Sequence, residues 1–200
     1  MLTSRTYLAL LALLWSATGV LGLGQTTCAS FTRPTGGSAF TVSASSGTAP
    51  ILVSADDWPG VQRAAGDFAA DIKAVTGRNS KLANATAAAI ASAAGGQAPI
   101  IVGTLGKSAL IDAVVEHAKL DVSAVKGKWE AWSGQVVKNP LPGVAEAYVI
   151  YGADKRGTIY ALYDHSEQFG ALKLLFCVIF LLVSDLDVCV YRCFPVVLLG

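Results

Sequence analysis

The segment Glu146–Gly170, EAYVIYGADKRGTIYALYDHSEQFG, constrains the fold more than any other. Ala147 to Tyr151 is rich in β-branched and aromatic residues, which suit a pleated, buried strand. Gly152, Asp154 and Gly157 follow with turn chemistry: glycine reaches positive φ freely, and an aspartate hydrogen-bonds its own backbone. Thr158 is placed to cap the next helix, in which Ile159, Leu162, Tyr163 and Phe169 recur at nearly helical spacing. Gly170 stands where a left-handed C-terminal residue belongs. The segment therefore predicts strand, tight loop and helix.

The residues upstream repeat the alternation. Ala39–Ser43 and Ile51–Ser54 read as short strands. Asp56, Asp57, Trp58 and Pro59 form a helix-start signature, since carboxylates favour the positive end of the helix dipole and proline is tolerated in the first turn. Val61, Ala64, Ala65, Phe68, Ile72 and Val75 then mark one apolar helix face, with Gly77 as its stop. A short helix is expected over Ala87–Ala94, ended by Gly95-Gly96. Pro99–Val102 reads as a buried strand, and a helix follows with Leu110, Ile111, Val114, Val115 and Ala118 on one face. Gly127–Val137 is expected to pair as strands, and Asn139-Pro140-Leu141-Pro142-Gly143 to turn the chain into the final strand. The pattern implies an α/β fold, a small mixed-sheet sandwich with helices packed on the sheet.

Gly152-Ala153-Asp154-Lys155-Arg156-Gly157-Thr158-Ile159-Tyr160, with Tyr163-Asp164 and Ser166-Glu167-Gln168 behind it, resembles the end of the N-terminal domain of glycoside hydrolase family 115, the xylan α-1,2-glucuronidases. Gly127-Lys128-Trp129-Glu130, Val136-Val137 and Asn139-Pro140-Leu141-Pro142-Gly143-Val144 are similar to the same family. The likeness spans roughly Phe40 to Gly170. It implies a non-catalytic α/β domain like those preceding the barrel in several glycosidase families. It also implies an enzyme that cleaves (4-O-methyl)glucuronic acid from glucuronoxylan without a metal or other cofactor. In the family the catalytic and substrate-pocket residues belong to the barrel, so no catalytic residue, cofactor site or metal ligand is carried over to this chain.

The two ends differ from the middle. Residues 1–24 read as a secretory signal peptide, with Arg5 as the positive n-region and Leu8–Trp15 as a short apolar core. That apolar run is shorter than the roughly 20 residues needed to span a bilayer. Residues 25–39 form a leader, residues 40–170 the α/β domain, and residues 171–200 an atypical apolar tail with the character of a gene-model or truncation artefact. Three of the four cysteines, Cys177, Cys189 and Cys193, lie in that tail and the fourth is Cys28, so the domain holds together by packing. A formal net charge of +1 gives no general attraction to nucleic acid or to an anionic membrane. The expected setting is secreted and extracellular.

Several residues invite a chemical role. Gly103-Thr104-Leu105-Gly106-Lys107-Ser108 suggests a phosphate loop, but the motif needs four residues between the first glycine and Gly-Lys. Ser108 as a helix N-cap explains the loop equally well. Most glycosidases place two carboxyl groups roughly 5–9.5 Å apart across one bond. Asp56, Asp57, Glu130, Glu146, Asp154, Asp164 and Glu167 are the available carboxylates, and none occurs in a pattern that assigns it that task. His117 and His165 read as isolated surface histidines. Trp129 and Trp132, on one face of a strand, either stack on sugar or pack in the core or against a neighbouring domain. Asn84-Ala85-Thr86 is an N-glycosylation sequon. Two functions follow: a fragment of a secreted xylan α-1,2-glucuronidase, or a stand-alone carbohydrate-binding or adhesion module.

Overall fold

The computed structural model describes residues 39–170, together with two short strand segments, 29–30 and 188–190. The signal peptide, most of the leader and nearly all of the tail expected from the sequence lie outside the described residues. In chain order the elements are β1 (Ala29–Ser30), β2 (Phe40–Ala44), β3 (Gly47–Thr48), β4 (Ile51–Val53), α1 (Pro59–Thr76), β5 (Leu82–Asn84), α2 (Ile90–Ala94), β6 (Ile100–Thr104), α3 (Ala109–Ala118), β7 (Trp132–Leu141), β8 (Val144–Gly152), α4 (Lys155–Gln168) and β9 (Val188–Val190).

Five strands form the principal sheet in the order β5-β4-β6-β8-β7. β4, β5, β6 and β8 run parallel, with Ile51 opposite both Leu82 and Ile100 and Ile101 opposite Val149; β7 returns antiparallel along β8. A smaller sheet has the order β1-β9-β2-β3.

The period-two alternation of the strands assigns each side chain to one of two cores. Ile51, Val53, Ile100, Val102, Tyr148 and Ile150 pack with Phe40 and Val42 against Val61, Ala64, Phe68 and Ile72 of α1, Ala161 and Leu162 of α4, and Phe169 at the C-cap of α4. Leu52, Ile101, Ala147, Val149 and Tyr151 face the opposite way, onto Ile90 of α2 and Leu110, Ile111 and Val114 of α3. A strand buried on both faces reads as a continuous apolar run, which is why Ile51–Val53 and Ile100–Val102 look alike. Each such aliphatic side chain, fully buried, contributes about 1.5–3 kcal/mol.

Local details depart from expectation at several points. β7 runs on through Asn139, Pro140 and Leu141, so only Pro142-Gly143 of the expected five-residue turn reverses the chain. The helix of the motif is capped by Asp154, whose carboxylate accepts from Gly157 N at 2.8 Å, while Thr158 is buried one turn further in. Gly127–Ala131 is a loop and only Trp132 onward is strand, because Glu130 takes a positive φ of 54° that a ladder cannot accommodate. His165 is fully buried rather than on the surface. Its Nδ1 donates to Ala161 O at 2.6 Å, and its Nε2 accepts from the Tyr148 hydroxyl at 2.7 Å. Both ring nitrogens are satisfied in the neutral form, and burial holds the imidazole down to about 4.

Candidate functional site

Strand order reverses between β4 and β6. The chain leaves β4 through α1 toward β5 on one side, then returns through α2 to β6 on the other. In open α/β sheets the loops at such a reversal diverge and leave a crevice at the carboxyl ends of the strands. Here those ends are Val53, Thr104 and Gly152, each followed by a loop that starts a helix.

The floor of this edge is a set of short backbone ties. Asp57 is buried, and its two carboxylate oxygens accept from Trp58 N at 2.7 Å and from Thr104 N at 2.8 Å, joining the end of β4 to the end of β6. Burial pushes the Asp57 carboxyl above its usual range, and those two N–H groups hold it back. The Thr158 hydroxyl donates to Asp154 O at 3.0 Å and is hydrogen-bonded with the Thr104 hydroxyl at 2.9 Å, joining β6 to α4. Asp154 accepts from Gly157 N and from Glu130 N, both at 2.8 Å, and so holds the loop before β7 against α4. Asp56 accepts from the Ser54 hydroxyl and from Ala109 N, and the Ser54 bond draws its carboxyl below the usual range.

Two motif glycines make this joint possible. A Cβ on Gly157 would stand 2.5 Å from Ala131 O, and one on Gly152 would collide with Thr158 N. No side chain fits where helix, strand and loop meet this closely.

The rim above the floor carries aromatics and cations. Trp58, at the N-cap of α1, is 43% exposed, with Lys107 Nζ 5.2 Å and Lys155 Nζ 6.0 Å from its ring centroid. Trp129 is 66% exposed, and the Arg156 guanidinium carbon lies 5.5 Å from its ring. Arg156 also pairs with buried Glu130 at 2.8 Å and donates to the Tyr160 hydroxyl at 2.8 Å.

The sequence-derived candidates are dispersed by this geometry. Trp132 is fully buried and packs on the His165 ring at 5.5 Å, whereas Trp129 projects from the loop, so the two do not form one surface. Asn84 lies exposed on the edge strand β5. Glu146 pairs with Lys138 on the opposite rim of β8, and Asp164 accepts from Gln168 along α4. Asp56, Asp57, Glu130 and Asp154 are bound to the joint itself, and Glu167 is solvated. Among the described residues no three His, Cys, Asp or Glu side chains converge on a metal position.

No protein-family profile matches the sequence, and no curated protein matches it. Among solved structures the chain is similar to BtGH115A, described as a novel family GH115 4-O-methyl-α-glucuronidase with specificity for decorated arabinogalactans. The identity is 25% and the TM-score 0.47, over 66% of this chain and 14% of that one. The chain thus spans a small part of the enzyme it is matched to.

In the sequence Trp58 reads only as part of a helix start. Its two lysines come from the loop after β6 and from the first residue of α4, far away in the chain, so only the strand order reveals that they meet.

Proposed function

We propose that residues 40–170 act as the non-catalytic α/β domain of a secreted glycoside hydrolase of the family 115 type. The enzyme removes (4-O-methyl)glucuronic acid from glucuronoxylan, and its bond-cleaving groups lie outside this stretch. One observation carries the reading: the family-like residues Gly152, Asp154, Gly157 and Thr158 are all consumed in joining β6, β8 and α4. A motif spent on architecture marks a scaffold, and the carboxylates around it are already bound to backbone N–H groups or cations. Trp129, exposed and beside Arg156, is the contact for a neighbouring domain. The reading of a stand-alone module built on Trp129 and Trp132 loses its platform with Trp132 in the core.

The test is to incubate the full chain with glucuronoxylan and with decorated arabinogalactan, and to assay for free uronic acid. None is expected. Release by the wild-type chain overturns the scaffold reading. Intact-mass measurement of the native secreted protein tests the family reading: a mass well above this chain's is expected, and a mass equal to the processed chain counts against it.

A further inference from the structure

The three helices that start from the carboxyl edge of the sheet, α1, α3 and α4, bring Trp58, Lys107 and Lys155 to one place. An exposed indole between two ammonium groups is an unusual use of a surface. A half-exposed tryptophan keeps apolar area in water that a ligand can cover. The lysines are exposed, and no carboxylate pairs with Lys155 among the described residues. Lys107 lies near Asp56, whose carboxyl is already engaged by Ser54 and Ala109 N. On the other side, the Asp154 carboxylate is engaged by Gly157 N and Glu130 N, and Glu130 is taken by Arg156. The rim at Trp58 therefore keeps positive charge to offer.

The floor beneath it is rigid. Asp57 fixes the backbone of Trp58 to Thr104, and Thr104 is fixed in turn to Thr158, so the indole, the loop that carries Lys107 and the start of the helix that carries Lys155 hang from one hydrogen-bonded joint. An arrangement held in this way binds without first having to be ordered.

We infer that Trp58, Lys107 and Lys155 form a binding site for an acidic saccharide, with a pyranose ring stacked on the indole and its anionic substituent held by the ammonium groups. Two features favour a sugar over a nucleotide. The loop after β6 lacks phosphate-cradle spacing, and its Gly106 N–H is spent on Asp112. An exposed cation–π contact is weak, so a lysine swings off the ring face to admit a sugar while staying in reach of its charge. The site is separate from the catalytic question: a domain that binds no sugar can still belong to a glycosidase, and one that binds sugar need not.

The experiment is affinity gel electrophoresis of the full chain through glucuronoxylan, neutral unsubstituted xylan and dextran sulfate. Wild type is compared with Trp58→Ala, with Lys107→Gln/Lys155→Gln, and with Lys73→Gln/Lys81→Gln as a charge control at the opposite end of the sheet. Thermal melts verify that each variant folds; all the substituted side chains are at the surface. Retardation by an acidic polymer but not by neutral xylan is expected, weakened at least tenfold by Trp58→Ala and by the rim lysine pair, and unchanged in the charge control. Retardation by glucuronoxylan alone identifies a carboxylate as the anion, and retardation by dextran sulfate as well extends the site to sulfate esters. No retardation by either acidic polymer overturns the inference. Equal retardation by neutral xylan overturns it as well. So does retardation that survives Trp58→Ala and falls equally with either lysine pair, which would be simple ion exchange.

Discussion

Gly157 shows how a single residue without a side chain can hold a fold together. Its Cα faces Ala131 O so closely that a methyl group would stand 2.5 Å away, and Gly152 is pressed in the same way against the start of the helix. Backbone cannot move aside as a flexible side chain can, so the strain of an added methyl falls on the whole joint. Gly157→Ala is expected to lower stability by about 2–3 kcal/mol, toward the upper end of overpacking costs, read as a lower urea midpoint. Gly170→Ala, where nothing lies within 4 Å, is the contrasting case: its φ of 80° makes it mildly strained but free of any clash. The turn-forming role of these glycines is legible in the sequence. The collision that demands a glycine at position 157 is not, because Ala131 arrives from a loop that the sequence suggested was strand.

At the scale of elements, Asp154 is the most heavily used residue of the joint. It caps α4 through Gly157 N and anchors the loop before β7 through Glu130 N, where Glu130 sits at positive φ. Loss of a helix cap costs about 1 kcal/mol, and the freed Glu130 N–H adds about 1–3 kcal/mol if it stays buried without a partner. Asp154→Ala is therefore expected to destabilise by about 2–4 kcal/mol, and Asp154→Asn by less, since one amide oxygen remains to accept. Chemical denaturation of the three proteins checks the order. The helical repeats of α1 and α3 were plain in the sequence because each turns one apolar face to the sheet. β5 was not, because Leu82–Asn84 carries two exposed residues out of three and owes its strand state to pairing with β4. As the outer strand of the sheet among the described residues, β5 leaves backbone groups unpaired there beside exposed Leu82, a template for association. Asn84 stands exposed on that strand, so a glycan there covers the open edge. Secretion through a glycosylating host is expected to add one glycan mass that Asn84→Gln abolishes, and the unglycosylated protein is expected to form more aggregate by light scattering.

For the molecule as a whole, acid sensitivity follows from one buried imidazole. His165 lies among Trp132, Tyr148, Phe68 and Phe169, all packed on its ring, and burial holds its pKa near 4 against 6.5 in an open chain. Because the folded value is the lower one, the unfolded chain takes up a proton first as pH falls. The stabilising contribution is complete above about 6.5, shrinks steadily below it, and is gone near 4. A shift of this size amounts to about 3 kcal/mol, a large fraction of the stability of a domain this size. Asp57 and Asp164 act in the opposite sense. Burial raises both, so the folded state binds their protons more readily than the unfolded chain and gains stability from them as pH falls, against the trend of the histidine. The loss of stability between pH 6.5 and 5 thus belongs to His165. Urea titrations at pH 7, 6, 5 and 4.5 are expected to show the midpoint falling across that range. In His165→Phe the midpoint at pH 7 is lower, because the Tyr148 hydroxyl loses its acceptor, but its pH dependence in the same window is nearly flat. An equal slope in both proteins would place the acid-sensitive group elsewhere in the fold.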